Sequence, residues 1–214
     1  MMMKAEKASA IPEIVLLPQP AIGSLASATF LLCLVFLAGC GYTLIPPALL
    51  SNPTQVFLLD HGRHSSLVLQ TDNEIIRYSY GDWDWYALNL RGFRSASRAL
   101  LLSSPAALGR QKLYSAPMEE SVRRAVPVNI EDIFSIMVER DRVNHLNTRL
   151  EHFFAENREQ IHHNPSYGVD FVPHPVPYSL SHNSNKVVAQ WLRELGVEVR
   201  GGGPFSRWRL TEGP

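Results

Sequence analysis

Cysteine is nearly absent from this chain. Two occur in 214 residues, Cys33 and Cys40, and none follows. A domain built from residue 41 onward therefore has no disulfide to staple it and no thiolate for nucleophilic chemistry. A surplus of one charge is lacking too: Lys+Arg and Asp+Glu both number 20. That balance leaves no basic excess to neutralise a phosphate backbone, so nucleic acid is not an expected partner. The main apolar run, from Ser24 to Cys40, stops short of the ~20 residues a membrane-spanning helix needs. Internal repeats and low-complexity tracts are missing. His61, His64, His174 and His182 fit no standard zinc spacing and have no cysteine beside them, so neither a metal nor another cofactor is expected.

What remains is ordinary for one globular domain, with 45% hydrophobic and 19% charged residues. The chain is organised around residues 55–86, QVFLLDHGRHSSLVLQTDNEIIRYSYGDWDWY. Val56–Leu59 reads as a strand buried on both faces. Gly62 allows a bend at Asp60-His61-Gly62-Arg63-His64. Ser65–Leu69 and Ile75–Tyr80 read as a hairpin closed by Gln70-Thr71-Asp72-Asn73. His64 then stands at the mouth of the hairpin, with Asp82 just past the return strand, where the two can approach.

Residues 41–54, with three prolines and no charge, read as an extended tether. The segment 91–111 suggests a helix through Leu102 and a second one after Ser104 with Pro105 at its first position. Lys112–Ala116 and Val122–Val128 suggest strands. Asn129 suggests a cap for a helix containing Ile133 and Met137. Val143, Leu146, Leu150, Phe153 and Phe154 recur at helical spacing. Asn164–Tyr178 reads as a Pro-rich loop. Asn183 or Ser184 caps a last helix, with Val187, Val188, Trp191, Leu192 and Leu195 on its apolar face, ended by Gly196.

Several of these pieces carry a resemblance. Leu37-Ala38-Gly39-Cys40, after the apolar run, resembles a bacterial lipoprotein signal, in which small residues precede the cysteine that takes the lipid. The resemblance implies a signal peptide or anchor over 1–39, lipidation at Cys40, a lipidated cysteine and tether over 40–54, and a domain over 55–208 with a tail over 209–214. It also implies a protein held at the membrane by its lipid or an anchor helix and facing the periplasm. Gly41, with no Asp after Cys40, leans toward the outer membrane.

Asp60-His-Gly-Arg-His64, Tyr80-Gly-Asp-Trp-Asp-Trp-Tyr86, Tyr178-Ser-Leu-Ser-His-Asn-Ser-Asn185 and Gly203-Pro-Phe205 together resemble a bacterial envelope family of unknown function. That family is similar to the circularly permuted, NlpC-type branch of papain-like peptidases and acyltransferases. The resemblance implies an α+β fold: a small antiparallel sheet with helices packed on it. It places His64 at the histidine position and Ser184 at the nucleophile position. The family reads Asn-Cys-Asn-Thr where this chain reads Asn183-Ser184-Asn185-Lys186, an aromatic where Arg63 stands, and Thr-Gly where Ser65-Ser66 stands.

The residues themselves allow the chemistry to be weighed. A hydroxyl at a helix N-terminus, beside an imidazole oriented by a carboxylate, can transfer acyl groups. Asp82 is the first candidate for the orienting group and Asp84 the second. On the residues alone Ser184 is better explained as a helix cap, and only its match to the nucleophile position raises the alternative. Trp83, Trp85 and Tyr178, with Asn183 and Asn185, are the candidate substrate contacts, although core filling explains aromatics as readily. Two functions stay open. One is an inactive or weakened cleft that binds a peptidoglycan, lipid or protein component of the envelope. The other is a Ser/His hydrolase or acyltransferase acting on an amide or ester there.

Overall fold

A strand with every apolar side chain buried needs cover on both faces, and the segment around Val56–Leu59 has it. The computed structural model describes residues 41–90, 103–114 and 116–211. Within them β2 (Pro53–Asp60), β3 (Ser65–Gln70) and β4 (Ile75–Asp82) form consecutive antiparallel partners, as the hairpin pattern requires. They belong to a seven-stranded antiparallel sheet. Its other members are β5 (Ser104–Leu113), β6 (Asp132–Glu139), β7 (His162–Asn164) and β8 (Val169–Tyr178), in the order β6-β2-β3-β4-β5-β8-β7.

Alternation along β2 sends Val56 and Leu58 to one face and Phe57 and Leu59 to the other. The first face packs under α2 (Arg140–Glu156) and α3 (Ser184–Glu194), where Leu146, Phe154, Val188 and Leu192 are fully or almost fully buried. The second packs under α1 (Glu119–Ala125) through Val122, with Val126 and Ile130 beyond it. Burying each such side chain contributes ~1.5–3 kcal/mol. A smaller cluster of Ala87, Ala107, Val169 and Phe171 supports the aromatic turn after β4. The fold class is α+β, as expected.

A second sheet joins the ends of the described chain. β1 (Tyr42–Ile45) runs parallel to β10 (Trp208–Leu210) and antiparallel to β9 (Glu198–Gly201). Residues 42–45 are therefore a strand and not a tether. Tyr42 and Leu44 alternate inward, and Tyr42 stacks on Trp208 with ring centroids 4.2 Å apart. Residues 209 and 210, assigned to a tail, lie in β10. The signal segment 1–39, Cys40 and the helix expected to end at Leu102 lie outside the described residues. Among the described residues no helix is long and apolar enough to cross a membrane.

Four further elements differ from expectation, each for a physical reason. Ser104–Leu113 is a central strand; Pro105 is tolerated because the ladder with β8 shifts register between Ser104 and Ala106, a bulge where no N–H is required. Residues 119–125 form a helix where Val122–Val128 suggested a strand. Glu119 and Glu120 favour the positive N-terminal end, and Arg123 and Arg124 the other. Residues 132–139 are a strand where Asn129 suggested a cap. Ile136 and Val138 face inward at period two, and all eight residues pair with β2.

Val169–Tyr178 is a strand despite Pro173, Pro175 and Pro177. The ladder with β5 shifts register across Pro175 and Pro177, so neither has to donate to it. Pro173 sits opposite Ala107 in that ladder. β7 covers β8 only at Val169–Phe171. Among the described residues no strand covers this edge of β8 beyond Phe171, and the three prolines leave an incoming strand few donors there. The helices at Val143–Phe154 and Val187–Leu195 form as the spacing predicts, the latter closed by Gly196 at φ +90°.

Candidate functional site

The loop between β2 and β3 presents both imidazoles of the hairpin mouth. Gly62 makes the bend at φ +88°, its N–H donating to Asp60 Oδ1 at 2.7 Å, and His61 N–H closes the turn on the His64 carbonyl at 3.0 Å. His61 is fully engaged. Its Nδ1–H donates to the Asn129 carbonyl at 2.7 Å, which leaves Nε2 to accept from Ser66 Oγ at 2.9 Å. Ser66 Oγ in turn accepts from Arg77 Nε at 3.0 Å. His64 stacks on His61 with centroids 4.7 Å apart and tilts against Tyr86 at 5.3 Å.

These neighbours decide the protonation of the pair. Burial, then the charges of His61 and Arg77, hold His64 down to about 3. Burial and Arg77 hold His61 down to about 4, against the pull of the Asn129 carbonyl. Both rings are neutral at neutral pH. A working general base is poised near the operating pH, with a carboxylate stabilising its protonated form. His64 has a guanidinium nearby instead.

Asp82 ends β4 and does a different job from the one expected of it. One oxygen accepts from Trp85 N–H at 2.8 Å, capping the π-helical turn Trp83–Ala87; the other accepts from Ser104 Oγ. With Asp82 only 4% exposed, its carboxylate is tied to the turn and not to His64. Gly81 makes room beside it, since a Cβ there would overlap the Tyr86 ring.

The start of α3 lies beside the same loop. Asn183 is its cap and accepts from Lys186 N–H at 3.1 Å, while its amide faces the Leu180 and Pro204 carbonyls. Asn185 is fully buried. It accepts from Ser65 Oγ at 2.8 Å and donates to the Arg63 carbonyl at 3.2 Å and the Pro204 carbonyl at 3.1 Å. Trp208 Nε1 donates to the same Ser65 Oγ at 2.7 Å. Ser184 is 1% exposed, and its Oγ has no hydrogen-bond partner among the described residues.

A cleft of about 560 Å³ opens over this region, lined by His64, Asp82, Trp85, Tyr86, Tyr167 and Tyr178 among others. Burial, then the Asp82 charge, pushes the Tyr178 phenol up to about 12. The structure thus gathers four of the expected residues, His64, Asp82, Trp85 and Tyr178, around one space. Asn183 and Asn185 are corrections: their polar atoms are taken up inside the protein, so neither is offered to a substrate. Trp83 faces the small cluster around Phe171 and tilts against His162, away from the cleft lining. No hydrogen bond links Ser184, His64 and Asp82 to one another.

Arg77, Ser66 and Tyr167 were not foreseen. Arg77 left a signal, as an arginine between Ile76 and Tyr78 inside a strand whose neighbours are apolar. Among the described residues no group of three His, Cys, Asp or Glu side chains is placed to hold a metal ion. Compared with known proteins, the chain matches no family model, no curated protein and no solved structure.

Proposed function

We propose that this domain is a binding module of papain-like descent, anchored through Cys40 at the bacterial cell envelope, whose cleft takes up an envelope component without cleaving it. The absence of any hydrogen bond among Ser184, His64 and Asp82 carries this reading. Each of the three is accounted for otherwise. Ser184 Oγ is buried, Asp82 caps a turn, and His64 is a neutral ring disfavoured as a base first by burial and then by the charges of His61 and Arg77. A hydroxyl is also harder to deprotonate than the thiol that the permuted papain-like site is shaped for. The cleft itself, with its aromatic walls and a few polar groups, has the make-up of a ligand site. One feature favours the alternative of a Ser/His hydrolase or acyltransferase: an unpartnered hydroxyl at the start of a helix.

Labelling separates the two. Full-length protein in detergent is treated with a fluorophosphonate probe beside Ser184→Ala and His64→Ala. The expected result is no labelling above that of Ser184→Ala. Labelling that disappears in both variants would establish an activated serine and replace the binding reading with the hydrolase.

A further inference from the structure

Arg77 lies in the middle of the sheet on β4 and is 4% exposed. Arginines this deeply buried are, as a rule, paired with a carboxylate, because an uncompensated charge is costly out of water. Here Nε donates to Ser66 Oγ and Nη1 to Gln111 Oε1 at 2.9 Å, both neutral groups. Among the described residues no carboxylate lies within ion-pair distance of it, and Ser66 and Gln111 carry no charge to offset its own. The segment 91–102 contains no Asp or Glu either. Asp82 is near the cleft, but its oxygens are held by Trp85 and Ser104.

What Arg77 does face is space. A recess of about 20 Å³ lies between Arg77, His64, Ser79, Tyr86 and Phe171. His64, Tyr86, Val128 and Tyr167 line both this recess and the large cleft, so the recess adjoins the cleft at these side chains. Its volume admits one water-sized particle, which is the size of a single carboxylate oxygen. We propose that the cleft binds a ligand bearing a carboxylate, one oxygen of which enters the recess and accepts hydrogen bonds from Arg77. The proposal rests on the binding reading above and narrows its ligand. With His61 and His64 neutral, Arg77 is the one cation among the described residues lining the recess, while Arg63, Asp82 and Glu131 line the wider cleft. Trp85, Tyr86 and Tyr178 line the cleft with aromatic surface for an apolar body behind the carboxylate. A phosphate, with oxygens in three dimensions, needs a wider recess.

The test uses full-length protein in detergent, titrated with benzoate, benzamide and phenyl phosphate, and followed by tryptophan fluorescence and thermal unfolding. Benzoate is expected to bind about 10- to 100-fold more tightly than benzamide, the range of a charged hydrogen bond. Arg77→Met is expected to unfold at or above the parent's midpoint, since it removes an unpaired buried charge, and to lose the preference for benzoate. Equal binding of benzoate and benzamide would overturn the carboxylate while leaving the binding cleft intact. Tighter binding of phenyl phosphate than of benzoate would overturn the ligand class. Retention of the preference in Arg77→Met would remove Arg77 from the site, and failure of all three compounds to bind the parent would overturn the proposal. Where Arg77→Met does not fold, the comparison of benzoate with benzamide on the parent decides alone. Serine labelling, measured separately, tests the underlying binding reading.

Discussion

Replacing Asn185 with leucine lowers the melting temperature of the domain by roughly 6–12 °C. The leucine is similar in size but leaves three partners behind: the Ser65 hydroxyl and the carbonyls of Arg63 and Pro204. A buried polar group stripped of its partner costs ~1–3 kcal/mol. Ser65 keeps its bond from Trp208, which softens the loss there. The sum is about 3 kcal/mol, and a domain of this size loses ~2–4 °C for each. Circular dichroism melts of full-length protein in detergent measure it. Asn185→Asp, which keeps the acceptor but lacks the two donors and buries a charge, is expected to fall at least as far. A shift under 3 °C for Asn185→Leu would mean that the three bonds do not brace the fold, and would return Asn185 to the list of ligand contacts.

Acidification produces the second large effect. His61 and His64 have an ordinary value near 6.5 when unfolded, and about 4 and about 3 in the folded protein. Below 6.5 the unfolded chain binds protons that the native state refuses. Stability is therefore full above pH 6.5 and is lost as the pH falls toward 4, with His64 continuing toward 3. The slope is at most about 1.4 kcal/mol per pH unit for each imidazole. Between pH 6.5 and 5 the pair thus costs about 2–4 kcal/mol. His174 and His182, also lowered by burial, add in the same direction. Asp60, raised by burial, acts oppositely, losing its contribution as the pH rises through the carboxylate range. Urea unfolding at pH 7, 6 and 5 reads the slope, and His64→Gln is expected to make it shallower by one imidazole's share, at most about 1.4 kcal/mol per pH unit. An NMR titration in which either ring protonates above pH 5.5 in the folded protein would contradict this account.

The sequence displayed the fold unevenly, and the reasons are specific. The strands around Val56, Leu67 and Ile76 and the helices around Leu146 and Val188 were legible because one periodicity dominates each. Pro105 and the prolines of β8 mislead because proline reads as a breaker, whereas a bulge or register shift accommodates it. Ile133 and Met137, four apart, fit a helical face. Only the inward Ile136 and Val138 show the period of two, and β2 as a partner settles it. In the site, residue types were legible but partnerships were not. Asp82 looked available to His64 because nothing in the sequence shows that Trp85 and Ser104 claim its oxygens from 3 and 22 residues away. Arg77 is hard to recognise because a charge within a strand reads as solvent-facing until both sheet faces are known to be covered.

The pairing of β1 with β9 and β10 has a bearing on how the chain is made. Tyr42 donates its hydroxyl to Gly203, 161 residues away, and stacks on Trp208. A ribosome or export channel releases the N-terminal end first. β1 must therefore wait, its Tyr42 and Leu44 uncovered, until almost the whole chain has followed. Contacts this distant in sequence are slow to close, and unpaired strands are vulnerable while they wait. The small sheet is thus the last part of the domain to be completed during synthesis, and a chain cut short before Glu198 leaves β1 with no strand to join.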